Sequence, residues 1–421
     1  MAIEKQQVIE AVERGKDWLL ENQITEETET YDQIRFLDDD KAKAEWYEIP
    51  TPKHLIGAYY GNLCRNDPHA TKDGEVRRQY YNSWHTGQVG VALLDYLEYK
   101  DDPAVQKSVD LAWDFIDSHQ LKDGEYKGVF VEIPPADLQY PLENHHSFGH
   151  TSEKAKNGYA DYDNIETDLF PLELYRKTGD KKYLESAKMN ADFYLEKHPE
   201  IVFFDIETNT YAISGMSNDA VYGRLFEYTK EDKYRDVFSK QLQKLSFLGL
   251  DLRAGNNIRN MYWDATACEY AVDNFPEMYG PAMAKLAFLC EHLLAAQKDN
   301  GVLWFRFKDA GVPHDTADER KQDGAATYGT MRMWGKMYDM TGDKRWLNAI
   351  KKGVEFALTQ QYPDSHGKEF AGAFEYAGVV LDKNTGKNYE SLRDISTIFA
   401  LRALIPLLTE KTQWAKDFWN E

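Results

Sequence analysis

Four carboxylates crowd into residues 161–168 of this 421-residue chain: Asp161, Asp163, Glu166 and Asp168. They open the segment Tyr159–Asp180, YADYDNIETDLFPLELYRKTGD. Acids packed this closely repel one another when ionised, which pushes their pKa values apart and leaves one protonated near neutrality. Such a set can supply both halves of an acid–base pair, with Glu166, Asp168, Asp161 and Asp163 as the candidate catalytic groups. The competing explanation is capping, because Asp and Glu at a helix start satisfy free N–H groups and meet the positive end of the dipole. Just upstream, Asn144-His145-His146-Ser147-Phe148-Gly149-His150 holds three of the eleven histidines. Imidazole titrates near neutrality. His146 with Tyr159 is therefore a second candidate base and acid, suited to removing a proton beside a carboxylate, with His145 and His150 as substrate contacts. The histidine spacings would also allow shared metal ligands, but no carboxylate–histidine spacing here is diagnostic. No metal and no other cofactor is expected.

Further candidates stand at the starts of other apolar helices. Trp84-His85, Asn218-Asp219, Trp263-Asp264 and Asp323 occupy such positions. Trp84, Trp263 and Trp304 are flat platforms on which a saccharide ring could stack, although any Trp is more often core. His85, Asp219 and Asp264 are candidate substrate contacts. Arg332, Arg393 and Arg224 could grip a carboxylate through a bidentate contact, or could serve as internal ion-pair partners. The polar loop His314–Arg320 is placed to close over a pocket, as charged loops often do.

These residues need a scaffold that brings helix starts together. A first amphipathic helix is expected at Lys5–Glu21 and a polar loop at Thr25–Lys43. Ser83–Tyr99 is apolar nearly all round, which marks a buried helix, and Ala104–His119 after it is amphipathic. The pairing recurs. Ile165–Lys177 precedes TGDKKY and Leu184–Leu195; Glu166 and Asp168 then fall in its first turn. Ser214–Tyr228 precedes TKEDKY and Val237–Leu245, and Gly324–Met340 precedes TGDKRW and Leu347–Gln360. Helices near Ala282–Gln297 and Leu392–Leu408 supply more. The joins Val129–Phe148, Ile201–Ile213 and Gly301–Phe307 are expected to carry short strands. Repeated helical hairpins, each with one apolar and one amphipathic helix, make an inner and an outer ring. No low-complexity linker divides the chain, so residues 1–421 are read as one domain.

Composition narrows the functions. The formal net charge is −21, from 50 basic and 71 acidic residues, a surface that repels phosphate backbones and argues against nucleic-acid partners. Aromatic residues reach 14%. The three cysteines, Cys64, Cys268 and Cys290, imply no disulfide framework. No stretch has the apolar length to span a membrane, and the charged N-terminus is not a signal peptide. A cytoplasmic location is expected, the alternative being a secreted or periplasmic protein lacking its signal. There is no phosphate loop, GxGxxG, HExxH or GxSxG pattern.

The turns Tyr175–Tyr183 and Tyr338–Trp346 share aromatic-x-x-Thr-Gly-Asp-Lys-x-aromatic. With Gln297–Trp304, a helix end followed by glycine and a Trp strand, they resemble the six-hairpin glycosidase superfamily. Ile165-Glu166-Thr167 is similar to the segment that holds the catalytic carboxylate of the unsaturated glucuronyl and rhamnogalacturonyl hydrolases, although that subgroup has Asp where this chain has Glu166. The resemblance implies an all-α (α/α)6 toroid with short strands in its loops. It also implies a glycoside hydrolase acting on a glycan or oligosaccharide that contains uronic acid. The same superfamily includes polysaccharide lyases and sugar epimerases. A lyase would use the His/Tyr pair, and a non-enzymatic helical scaffold is a further alternative.

Overall fold

The computed structural model describes residues 3–36, 44–51, 53–65, 76–80, 83–131, 162–203, 220–248, 258–304, 322–375, 379–381 and 388–420. His145, His146, His150, Tyr159, Asp161, Asp219 and the loop His314–Arg320 lie outside them.

Among the described residues, helices alternate between an inner and an outer ring. The inner helices are α2 (Ser83–Tyr99), the pair α4 (Tyr162–Glu166) and α5 (Leu169–Thr178), α8 (Val221–Thr229), α10 (Ile258–Asn274), α12 (Gly324–Thr341) and α14 (Asp394–Thr409). Each packs on the next, and α14 returns to α2, which closes the ring. The outer helices are α1 (Lys5–Glu21), α3 (Pro103–His119), α6 (Lys181–Lys197), α9 (Asp232–Leu248), α11 (Tyr279–Ala295) and α13 (Lys344–Thr359). Helix α1 leans on α14, so the chain's first helix completes its last hairpin. A short turn α7 (Pro199–Val202) follows α6, and α15 (Gln413–Asn420) ends the chain. Inner helices are buried along almost their whole length, α14 from Asp394 to Ile405 without interruption. Outer helices bury one stripe; on α13 it is Trp346, Leu347, Ala349, Ile350, Gly353, Val354, Phe356 and Ala357. This is the division the apolar and amphipathic patterns predict.

The turn between the two rings is chemically constant. Thr178 and Thr341 bond back to Leu174 O and Met337 O, at 2.8 and 2.6 Å. Gly179 and Gly342 then take φ of +71° and +65°, the left-handed closure that glycine adopts without a Cβ penalty. Asp180 and Asp343 cap the outer helices by accepting from Lys182 N and Arg345 N. In the weaker copy Lys230 holds the left-handed position at φ +59°, and Thr229 still bonds to Leu225 O.

The return from outer ring to inner ring repeats as well. Gln23, Gln120, Gln297 and Gln361 each donate from Nε2 to a glycine carbonyl of their own loop and to a carbonyl of the next outer helix: Gly57 O and Ser108 O, Gly128 O and Ser186 O, Gly301 O and Ala349 O, Gly372 O and Ala11 O. The chain then bridges back to Tyr59, Phe130, Leu303 and Phe374, opposite the same four glutamines. Those four residues in turn donate their N–H to Thr86 Oγ1, Asn164 Oδ1, Thr327 Oγ1 and Thr397 Oγ1, all in the first turns of inner helices.

Strands lie near the inner-helix starts. β1 (Thr30–Phe36), inside the stretch Thr25–Lys43 where a polar loop was expected, pairs antiparallel with β2 (Ala44–Pro50). Tyr31, Ile34, Phe36, Trp46, Tyr47 and Ile49 supply β-forming side chains between the acidic residues, a pattern the charge obscures. A four-stranded sheet has the order β4–β3–β8–β7, from β3 (Tyr60–Arg65), β4 (Val76–Tyr80), β7 (Val379–Leu381) and β8 (Asn388–Arg393). β4 ends just before α2, and β8 runs directly into α14. The pair β5 (Leu303–Trp304) and β6 (Gln322–Asp323) leads into α12 in the same way. Of the expected strand joins, Gly301–Phe307 is met at Leu303–Trp304. Phe130 makes one bridge, and Ile201–Val202 belongs instead to the helical turn α7.

Candidate active site at the inner-helix starts

The expected helix Ile165–Lys177 is broken. Helix α4 ends at Glu166, a turn follows, and α5 begins at Leu169 with Asp168 at its N-cap position. Asn164 shows why. Its side chain accepts from Phe130 N, donates to Phe130 O at 2.6 Å and accepts from Asn190 Nδ2 at 2.8 Å, and so occupies the place of Thr86, Thr327 and Thr397. In that register α4 is the true start of this inner helix. Asp163 lies level with His85, and Glu166 with Gln88.

The capping explanation fails for Asp168. It makes no side-chain cap bond, it is fully buried, and neither carboxylate oxygen finds a hydrogen-bond partner among the described residues. Burial, with a further push from Asp192 on α6, raises its pKa well above the usual carboxylate range. Tyr222, on α8, is pushed up by burial and by Asp168. Asp168 therefore belongs to the seam between α5, α6 and α8. Glu166 is 1% exposed at the end of α4.

Trp84 and Trp263 do more than flank the site. Helices α2 and α10 stand on opposite sides of the ring, yet the two indoles meet edge to face with centroids 6.3 Å apart. Trp263 also packs on Phe399 of α14 at 5.3 Å. These rings form a floor across the bore. Each indole N–H is buried without an acceptor among the described residues, and the Ser83 and Ser396 hydroxyls at the starts of α2 and α14 are in the same position.

His85 is fully buried, and its Nδ1–H donates to Asp394 Oδ1 at 2.5 Å across the α2/α14 seam. Burial lowers its pKa against the opposing pull of Asp394, so the ring is neutral. Nε2 is then an acceptor, and Arg393 Nη2 donates to it at 3.4 Å. Sequence reasoning missed Asp394, and only β-strand pairing places it. Asp264 is fully buried beside Trp263. Trp304 is half-buried under Lys298, whose ammonium stands 3.8 Å from the ring centroid.

Arg332 is placed differently. Burial opposes its charge, but Glu269 and then Asp95 hold it protonated. Both acids lie beyond the Trp84–Trp263 floor, about two or more helical turns along their helices. Arg402 joins them, bonded to Gln88 at 3.2 Å and paired with Asp95 at 3.4 Å. Arg224 and Arg176 both pair with Glu173. The deeper bore is thus filled by ion pairs, and isolated arginines in a sequence do not reveal the two levels. Among the described residues, no group of three or more His, Cys, Asp or Glu is arranged to hold a metal ion, and no helix is long and apolar enough to cross a membrane.

No protein-family model matches the chain, and no curated protein matches it. Solved structures do. One is a possible member of the GH105 family from Klebsiella pneumoniae, with a TM-score of 0.59 at 12% identity over 97% of this chain and 95% of that one. Another is an unsaturated glucuronyl hydrolase from Streptococcus agalactiae, at 0.55 and 13% over 98% and 95%. A polysaccharide lyase aligns at 0.51 and 12% over 78% and 90%. The closed double ring and these alignments give one answer: the chain has an (α/α)6 fold, the fold it shares with these structures.

Proposed function

We propose that this protein is a glycan-active enzyme, and that its reaction is hydrolysis of a glycoside in an oligosaccharide containing uronic acid. The observation that carries the reading is the start of the second inner hairpin. There Glu166 is a buried carboxyl at the end of α4, which packs on α2, the helix that carries Trp84. Glycoside hydrolysis needs an acid to protonate the leaving oxygen and a second carboxylate to serve the water or the sugar carbon. In this reading Glu166 acts as one of the pair and Asp163 or Asp161 as the other. Asp168 holds its proton behind them and shapes their electrostatics. Trp84 and Trp263 bound the saccharide site from below, with Asp264, Asp219, His145, His150 and Trp304 as substrate contacts.

The two hydrolase likenesses favour this reading over the alternatives on the same fold. The test is the release of reducing ends from an unsaturated glucuronyl oligosaccharide by wild type and by Glu166→Gln. Loss of about a hundredfold or more in kcat with an unchanged thermal midpoint supports the assignment, since a positioned acid or base contributes about 10²–10⁴-fold. Retained turnover in this variant, and in those at Asp161 and Asp163, overturns it. The lyase reading, with His146 and Tyr159 as base and acid, has the lyase alignment in its favour. It predicts a new conjugated double bond and rising ultraviolet absorbance.

A further inference from the structure

Among the described residues three large apolar side chains are exposed, Tyr126, Tyr279 and Phe288, and two of them lie on the outer helix α11. This helix turns Ala282, Leu286, Leu289 and Leu293 toward the inner ring. A second stripe, Pro281, Ala284, Phe288, Glu291 and Ala295, is exposed on its other side. That stripe advances in steps of three and four residues, the spacing of a helix–helix seam. At the same spacing α13 exposes Arg345, Asn348, Lys352, Glu355 and Thr359, the polar surface that an outer helix ordinarily shows. The one charge on the α11 stripe, Glu291, is tied to Arg345 at 3.0 Å. Phe288, at the centre, is 41% exposed and leans on His292 of its own helix.

Charge decides what fits over this stripe. Two copies of a chain at −21 repel one another, so they approach most cheaply through a face nearly bare of charge whose rims pair. Helix α9 runs beside α11, and Lys285 of α11 donates to Leu242 O on it. It exposes Asp232 and Asp236 near its start and Lys240 near its middle, with Lys244 beyond. Helix α13, on the other flank, begins with Arg345 and carries Glu355 nearly three turns later. Both polarities reverse along the helix axis. A second copy lying antiparallel sets the acidic part of α9 against the basic part of its own equivalent, and Arg345 toward Glu355; a parallel copy sets like on like. In the antiparallel register Pro281 lies opposite Ala295 and the two Phe288 rings meet at the axis, the isologous contact of a two-fold pair. One helical stripe buries roughly a few hundred Å² per copy, at the low end for specific interfaces, so the pair is weak and exchanging.

We propose that the exposed stripe of α11 is the interface of a two-fold, antiparallel homodimer of this chain, with Phe288 at its axis. Outer helices run against the inner helices in each hairpin, so the two ring ends that hold the inner-helix starts face in opposite directions in such a pair, and neither is covered. The proposal is independent of the reaction.

Sedimentation velocity over a series of protein concentrations tests it. Wild type is expected to pass from monomer to dimer as the concentration rises through the micromolar range. Phe288→Glu and Ala284→Arg, both at exposed positions, are expected to weaken association by about a hundredfold or more while keeping the thermal midpoint of wild type. Either variant suffices if the other does not fold. Cysteine cross-linking reads the direction, since Cys64, Cys268 and Cys290 are all buried. Phe288→Cys is expected to give a disulfide-linked dimer under mild oxidation. Ala284→Cys is not, because in the antiparallel pair its two copies stand about 12 Å apart along the helices, beyond the reach of a disulfide. A wild type that stays monomeric at every concentration overturns the proposal. A dimer that survives both charge variants overturns it too, by placing the interface elsewhere, and equal cross-linking at positions 284 and 288 overturns the antiparallel arrangement.

Discussion

Asp168 and Glu166 stand two residues apart and are physically different groups. Asp168 is a buried acid with no bond to either oxygen among the described residues, and Asp192 adds a like charge. Its folded pKa lies above the unfolded value near 3.9, so the folded state holds the extra proton and loses stability as pH rises from about 4 through the raised folded value. Asp168→Asn is therefore expected to be more stable than wild type at pH 7–8, by roughly 1–3 kcal/mol, and about equal to it at pH 4. Denaturant midpoints at the two pH values check this; a variant less stable at pH 8 than at pH 4, relative to wild type, contradicts it. His85 runs the other way. Its folded pKa is depressed by burial, so its contribution is present above the unfolded value near 6.5 and fades as pH falls below that. The sequence placed Glu166, Asp168, His85, Trp84 and Trp263 at helix starts, because periodicity locates starts. It could not place Asp394 against His85, since that contact spans the whole chain and depends on β8 pairing with β3.

At the scale of the element, the loops returning from the outer ring determine where each inner helix begins. Gly128 shows the constraint most clearly. Its φ is +104°, and a Cβ there would stand 2.2 Å from Met189 O on the next outer helix. Gly57 and Gly301 meet the same obstacle at Leu111 O and Lys352 O. Gly128→Ala is expected to cost about 2–4 kcal/mol, combining left-handed strain with backbone displacement. It should also weaken turnover, because Phe130 and Asn164 follow from it. Gly124→Ala serves as the contrast: its φ is +76°, but nothing lies within 4 Å of the added Cβ. Equal thermal midpoints for the two variants would contradict the close-approach argument. The inner–outer turns were legible because Thr-Gly-Asp is local chemistry. The glutamine staples were not, since each Gln donates to a carbonyl of a helix that the sequence does not identify as its neighbour. The strand β1 was hidden for another reason, because Glu26, Glu27, Glu29 and Asp32 gave its surroundings the look of a polar loop.

At the scale of the whole molecule, one ring serves two purposes on either side of an aromatic floor. At the helix starts the Trp84 and Trp263 indoles and the Ser83 and Ser396 hydroxyls find no partner among the described residues, and the deeper bore is cemented by ion pairs among Asp95, Glu173, Glu269, Arg224, Arg332 and Arg402. Buried charges of this kind are costly to break singly. Arg402→Met takes from Asp95 the nearer of its two cations, with Arg332 left as the other, and is expected to destabilise by about 3–5 kcal/mol. Asp95 is already raised by burial, with Arg402 opposing the rise, so the variant's loss should be larger at pH 8 than at pH 5. A pH-independent loss would place the cost in packing instead. The measurement that tests the account most directly follows an unsaturated glucuronyl oligosaccharide with wild type and Glu166→Gln, recording ultraviolet absorbance and reducing ends together. The account predicts that wild type releases reducing ends with flat or falling absorbance and that the variant loses this release by about a hundredfold or more. Rising absorbance, or equal release by the two proteins, would contradict it.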